Sequence, residues 1–145
     1  MVKEDICIRE IDIDNSILIH QFLKIAQRSL ISFRYFERRP VNIITNHILT
    51  AILLLNGVPI GYGHLDKEEE RIWLGIAVAE SHQGTGFGKL LMNFLLKKGY
   101  EKGIRTIYLT VDKNNTSAMN MYQRNAFVYV EDINEESVLM KRVTE

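Results

Sequence analysis

Residues 72–90 read Ile-Trp-Leu-Gly-Ile-Ala-Val-Ala-Glu-Ser-His-Gln-Gly-Thr-Gly-Phe-Gly-Lys-Leu, an apolar strand that enters a glycine-rich turn and then a helix opening at Lys89. Gly84, Gly86 and Gly88 stand at alternate positions. They remove Cβ atoms where the backbone must bend tightly or approach another group closely. A helix start leaves N–H groups unpaired and carries positive partial charge, so the junction suits a phosphate. Two familiar phosphate loops fail on their letters. A Walker-type loop needs Ser or Thr after Gly-Lys and a glycine five residues before, whereas Leu90 follows Lys89 and Gln83 stands at the earlier position. A dinucleotide fingerprint begun at Gly84 needs glycine where Lys89 stands, and a longer α/β chain.

The letters that fit are Gln-x-x-Gly-x-Gly, spelled Gln83-Gly84-Thr85-Gly86-Phe87-Gly88. They resemble the acyl-CoA pyrophosphate loop of the GNAT acetyltransferase superfamily. A second block lies about thirty residues on, from Val111 to Phe127. It is similar to the closing segment of that family, in which a strand leads into Asn-x-x-Ala-x-x-x-Tyr on a short helix. Asn115, Ala118 and Tyr122 agree with it in identity and spacing. Ala126 departs from it, because the family commonly has glycine at the helix exit. A non-glycine residue resists positive φ, so either the exit conformation differs or Asn125 takes the left-handed position.

The chain has 145 residues, the length of one domain (1–145) with a continuous core. Eighteen basic side chains balance eighteen acidic ones, so no global field favours nucleic acid. The one cysteine, Cys7, cannot close an internal disulfide and suits a reducing compartment. Its place in an apparent strand predicts burial rather than reactivity. The first twenty residues lack the apolar core of a signal peptide, and no apolar run is long enough to cross a bilayer. The expectation is a cytoplasmic protein with no membrane partner and no metal; a homodimer is left open.

Periodicity orders the elements. A strand around Ile6–Arg9 precedes a helix with Leu18, Ile19, Phe22 and Leu23 on one face, capped by Asp14 or Asn15. Residues 28–40 mix aromatics with arginines and are expected to form a short helix or loop. His47–Leu55 and Ile60–Leu65 flank Asn56-Gly57, a strong hairpin signal. Asp66–Arg71 looks like a solvated turn before the strand Ile72–Val78. The helix Lys89–Lys102, the strand Thr106–Val111, the helix Ser117–Asn125 and a hairpin of Phe127–Glu131 with Val138–Val143 complete the chain. This order matches the fold the resemblance implies, an α/β fold with a mixed, mostly antiparallel central sheet flanked by helices. The splay of that sheet in its middle is implied by the resemblance alone.

The resemblance also implies a chemistry, N-acetyl transfer from acetyl-CoA to a primary amine in a ternary complex. Backbone groups of Gln83, Gly84, Thr85, Gly86, Phe87, Gly88 and Lys89 would hold the pyrophosphate. The cofactor arm would pair along Val78, the N–H near Ile76 would polarise the thioester, and Asn115 would bond the arm or cap its helix. Tyr122 would protonate the departing thiolate. Where some members carry a glutamate before the loop, this chain has Ile72-Trp73-Leu74-Gly75. His64 is the substitute base, with an ordered water as the alternative; Asp66, two residues on, shares its face. His82 is expected to be solvated or near phosphate. Phe33, Arg34, Tyr35, Phe36, Arg38 and Arg39 could form an aromatic, cationic wall for a small acceptor such as a nucleotide-linked amino sugar. The alternatives are a protein or peptide acceptor, or a non-catalytic acyl-CoA-binding domain.

Overall fold

The computed structural model describes residues 4–145. Seven strands form one sheet in the order β1-β2-β3-β4-β5-β7-β6. They are β1 (Ile6–Glu10), β2 (His47–Leu55), β3 (Val58–Glu68), β4 (Arg71–Val78), β5 (Thr106–Asp112), β6 (Val128–Asp132) and β7 (Ser137–Val143). Every neighbouring pair is antiparallel except β4 with β5. That parallel pair is joined at one register position, Trp73 with Tyr108, and the strands part beyond it. The splay therefore opens beside the glycine-rich turn.

The helices are α1 (Ile17–Ala26), α2 (Ser29–Ser32), α3 (Phe87–Glu101) and α4 (Thr116–Arg124). On α1, Ile19, Phe22 and Ala26 recur at helical spacing and are buried against Tyr62 and Ile52. The stripe of α3 (Phe87, Leu91, Met92, Leu95 and Leu96) covers the opposite sheet face. Side chains of this kind each contribute about 1.5–3 kcal/mol when fully buried. At Gly61 and Gly63 of β3 an added Cβ would stand 2.8 and 2.7 Å from methyl carbons of Leu91 and Leu95. The two glycines let α3 lie close on the sheet, which sets its N-terminus beside the end of β4.

Several expectations are corrected. Neither Asp14 nor Asn15 caps α1: Asp12 caps a short 3-10 turn (Ile13–Asn15), and Ser16 begins α1 without a side-chain cap bond. Cys7 is exposed, because β1 is an edge strand and its Ile8 is the residue packed on the core. The turn expected over Asp66–Arg71 is confined to Glu69–Glu70, both with positive φ (50° and 68°), and β3 runs on through Glu68. Asp66 is consequently buried in the sheet. Helix α3 begins at Phe87, two residues before Lys89, since Gly86 is its N-cap at φ 90°.

At the exit of α4 the left-handed residue is Ala126 itself (φ 69°), while Asn125 has φ −103°. The N–H of Phe127 donates to the Tyr122 carbonyl at 3.0 Å and that of Ala126 to the Gln123 carbonyl at 3.1 Å. This is a Schellman exit, completed by the Phe127 ring 5.9 Å from that of Tyr122. These bonds and the ring contact offset the strain that glycine would avoid. At the end of α3 the same pattern is made with Gly103 (φ 86°).

Candidate active site

A cleft of about 1280 Å³ follows the splay from the glycine-rich turn to the far end of β4. The strand β4 supplies one wall. The Ala79 N–H donates to the Ile60 carbonyl at 2.8 Å, so alternate β4 residues back from Ala79 face β3. The backbone groups of Leu74, Ile76 and Val78 therefore point the other way, toward β5. Past the Trp73–Tyr108 pair no strand among the described residues meets Ile76 or Val78 on that side. Ile76 thus presents an unpaired N–H and C=O to the cleft. The Val78 carbonyl is already taken, by the Ser29 hydroxyl at 2.6 Å and the Gln83 amide at 3.1 Å. The expected pairing of a cofactor arm at Val78 is thereby limited to its N–H unless those bonds open.

The turn supplies the second group of donors. Gly84 and Gly86 have φ of 76° and 90°, values that strain any other residue, and a Cβ at either would stand in open space. Among the described residues no side chain caps α3, so its first N–H groups, from Phe87 to Lys89, are left unpaired at the cleft end. Not every letter of the motif reaches the cleft. The Phe87 side chain is buried with Leu53, Ile60 and Leu91, and the Thr85 hydroxyl donates back to the His82 carbonyl. Gln83 lines the cleft, with its amide bonded to Ser29 at 3.0 Å as well as to Val78. Gly84, Gly86, Gly88 and Lys89 line the cleft, as do His82 and Arg28, and the Arg28 guanidinium adds positive charge there.

Helix α4 closes the third side. Asn115 caps it by accepting from the Ala118 N–H at 3.3 Å, and it also lines the cleft. Tyr122 is 7% exposed and opens onto the cleft, and its hydroxyl has no hydrogen-bond partner among the described residues. Burial pushes the phenol above its usual value, so it holds its proton through the neutral range.

The far end is built from side chains drawn from distant segments. Tyr62, His64 and Asp66 occupy one face of β3 opposite Ala77, Gly75 and Trp73. The His64 ring lies over Gly75: a Cβ there would be 2.5 Å from its Nε2. The imidazole thus fills the space that a β4 side chain would take. His64 Nδ1 shares a hydrogen bond with the Tyr62 hydroxyl at 2.7 Å, and Nε2 is left toward the cleft. When Nδ1 donates, Nε2 carries a lone pair; when Tyr62 donates, it carries a hydrogen. Burial first, and then His47 and Arg39, hold His64 well below the usual histidine value, so it is neutral at pH 7.

Beside it stands a network that the sequence did not foreshadow. A bulge in β2 skips Ile48 and turns His47 onto the Asp66 face. The Tyr35 hydroxyl donates to Asp66 Oδ2 at 2.8 Å and lies 2.6 Å from His47 Nε2. His47 Nδ1 is 2.8 Å from the Thr50 hydroxyl. With Tyr35 donating to Asp66, His47 donates to Tyr35 and accepts from Thr50. Burial holds His47 below its usual value, against the opposing pull of Asp66. The expected aromatic and cationic wall is differently disposed. Phe33 and Phe36 pack on Tyr62. Arg34 pairs with Asp112 at 3.2 Å, and Arg39 pairs with Glu68 at 3.4 Å while lying over the Tyr35 ring.

Among the described residues no cluster of His, Cys, Asp and Glu is arranged to hold a metal, and no helix is long and apolar enough to cross a membrane. A sequence profile of the acetyltransferase (GNAT) family matches residues 18–127. Over 59 residues the chain is 39% identical to a [ribosomal protein bS18]-alanine N-acetyltransferase of Haemophilus influenzae, covering 41% of this chain and 40% of that one. Over 82 residues it is 33% identical to a spermine/spermidine N(1)-acetyltransferase of Bacillus subtilis, 54% of each chain. The matched stretches thus span about half or less of those relatives. The PaiA N-acetyltransferase of Thermoplasma acidophilum, solved in complex with coenzyme A, has the same fold, with a TM-score of 0.76 at 19% identity over 96% of this chain and 99% of that one. A profile spanning most of the chain, on a sheet that splays beside an uncapped helix start, places this protein in the GNAT acetyltransferase family.

Proposed function

We propose that this protein transfers the acetyl group of acetyl-CoA to a primary amine. The observation that carries the reading is the unpaired edge of β4 at Ile76, which leads through the glycine-rich turn to the bare N-terminus of α3. An extended, amide-bearing arm is matched by the first and a pyrophosphate by the second. The Ile76 N–H is the donor available to a thioester carbonyl.

The residues then divide the work. The amine nitrogen bonds to the carbonyl carbon and the C–S bond breaks. The proton released by the amine goes to His64 Nε2, a role in which His64 carries its own hydrogen on Nδ1 and donates it to Tyr62. The Tyr122 hydroxyl gives its proton to the departing thiolate. A phenol kept protonated by burial suits that task, and a neutral imidazole suits the other.

The acceptor is a primary amine that arrives as an ammonium ion and gives one proton to solvent before its nitrogen attacks; the proton released on attack is the one His64 takes. The two relatives are named for acceptors of different size, an alanine of a ribosomal protein and a polyamine. An acceptor carrying a nucleotide phosphate would need free arginines, and Arg34 and Arg39 are both engaged with carboxylates. The carboxylate of Asp66, which lines the cleft and is paired with neither arginine, favours a cationic acceptor instead.

Calorimetric titration with acetyl-CoA, followed by thiol release with simple primary amines, tests the reading. Binding with amine-dependent release is the expected result. Binding without release would leave a non-catalytic acyl-CoA-binding domain, and no binding would end the proposal.

A further inference from the structure

Asp66 has a role that acyl transfer itself does not use. It is 5% exposed and lines the cleft. Its Oδ2 accepts from Tyr35, whereas Oδ1 has no partner among the described residues and is not sealed from the cleft. Among the described residues no Lys or Arg pairs with this carboxylate. His47, 4.0 Å away, is pushed below its usual value by burial, against the opposing pull of Asp66, and is bonded to Tyr35 and Thr50. Arg39 is spent on Glu68, the Tyr35 ring and the Tyr35 carbonyl. A buried carboxylate without a counter-charge is costly, and an ammonium ion from the ligand would supply the missing charge.

The surroundings suit that ion. The Tyr35 hydroxyl fixes the carboxylate, and Trp73, opposite Asp66 in the strand register, lines the same cleft. Aromatic walls beside a carboxylate favour organic cations. The distance is also set. Asp66 follows His64 by one step on the same face of β3, roughly 6.5–7 Å along the strand. An extended chain of four methylenes sets two nitrogens roughly 6 Å apart, close to that step.

We propose that Asp66, oriented by Tyr35 and His47, seats a second ammonium group of the acceptor while the reacting amine lies at His64, so that the protein selects short α,ω-diamines over monoamines. The inference rests on the acyl-transfer reading and names its substrate class. Tyr35 and His47 are positioning residues: they act through the carboxylate.

The test compares 1,4-diaminobutane with 1-aminobutane, by thiol release and by calorimetric binding to the CoA-saturated protein. Wild type is expected to favour the diamine by roughly tenfold to a hundredfold, the usual weight of a charge-assisted hydrogen bond in a dry site. Asp66→Asn keeps an acceptor for the Tyr35 hydroxyl but loses the charge, and it should bring the ratio near one whatever its effect on each rate. Tyr35→Phe frees the carboxylate and should lower the ratio by a smaller factor, which keeps the test open if Asp66→Asn folds poorly. Equal use of the two amines by wild type, or an undiminished ratio in a folded Asp66→Asn protein, would overturn the proposal. Failure of acyl transfer alone would look different, with no thiol release from either amine but diamine binding still preferred and still dependent on Asp66.

Discussion

At the loop end of the cleft the groups offered to a ligand are backbone N–H groups of neighbouring residues, Phe87 to Lys89, with Ile76 close by on β4. At the Asp66 end they are side chains from α2's flank, β2 and β3, brought together by a bulge and a strand register. The first end depends on φ angles that glycine alone adopts freely, and its side chains mostly look elsewhere, as Phe87 and Thr85 do. The second depends on the identity of each side chain and tolerates no change of register. A backbone site of this kind can serve any member of a family that uses one cosubstrate. A side-chain site can be rebuilt for each acceptor without touching it.

The contrast is broken most severely at the loop. Gly86→Glu forces a side chain onto φ 90° and sets a carboxylate at the helix start. Acetyl-CoA affinity should fall by at least about a hundredfold, read by calorimetry, with no change in the ratio of diamine to monoamine binding. Tyr122→Phe should lower kcat by about a hundredfold, the low end for general acid catalysis. The acetyl-CoA dissociation constant should not change, because in the proposed mechanism the phenol acts on the thiolate and not on the anchored arm.

Gly75→Ala acts where the two ends meet. Its Cβ would stand 2.5 Å from His64 Nε2, so the imidazole must leave its place over β4. A loss of about 1–3 kcal/mol in unfolding free energy is expected, together with lower turnover and normal acetyl-CoA binding.

The histidines give a pH signature confined to the acceptor end. Burial holds His47 and His64 below the ordinary value of 6.5, so below that pH the unfolded chain binds protons that the folded chain refuses. Stability is therefore complete above about pH 6.5 and is lost as pH falls below it. Thermal unfolding at pH 7.5 and 5.5 should show this slope, and a His47→Gln/His64→Gln chain should lack that part of it. Turnover that uses neutral His64 should likewise have its acid limb below 6.5. The smallest effect lies outside the cleft. Ala126→Gly relieves the left-handed strain at the exit of α4 and should stabilise the protein by about 1 kcal/mol.

What was legible in the letters follows the same division. The strand, glycine turn and helix start form a local pattern, as do the Asn115–Tyr122 spacing and the Asn56-Gly57 hairpin, because one short segment contains the cause and the consequence. The helix exit after α4 was located by its missing glycine. Which residue would bear the strain was not, since the answer lies in the Tyr122–Phe127 contact. The face shared by His64 and Asp66 could be read from the period of a strand. The burial of Asp66 could not, because a charged run resembles a turn until its partners Tyr35 and His47 are known. His47 reaches that face only through the β2 bulge, and nothing in the sequence around Ile48 announces it.

Acetyl-CoA titrated calorimetrically into wild type, Gly86→Glu and Tyr35→Phe tests the division most directly. The account predicts one site in wild type, near-normal affinity in Tyr35→Phe and a loss of about a hundredfold or more in Gly86→Glu. Equal affinity in Gly86→Glu, or a comparable loss in Tyr35→Phe, would contradict it.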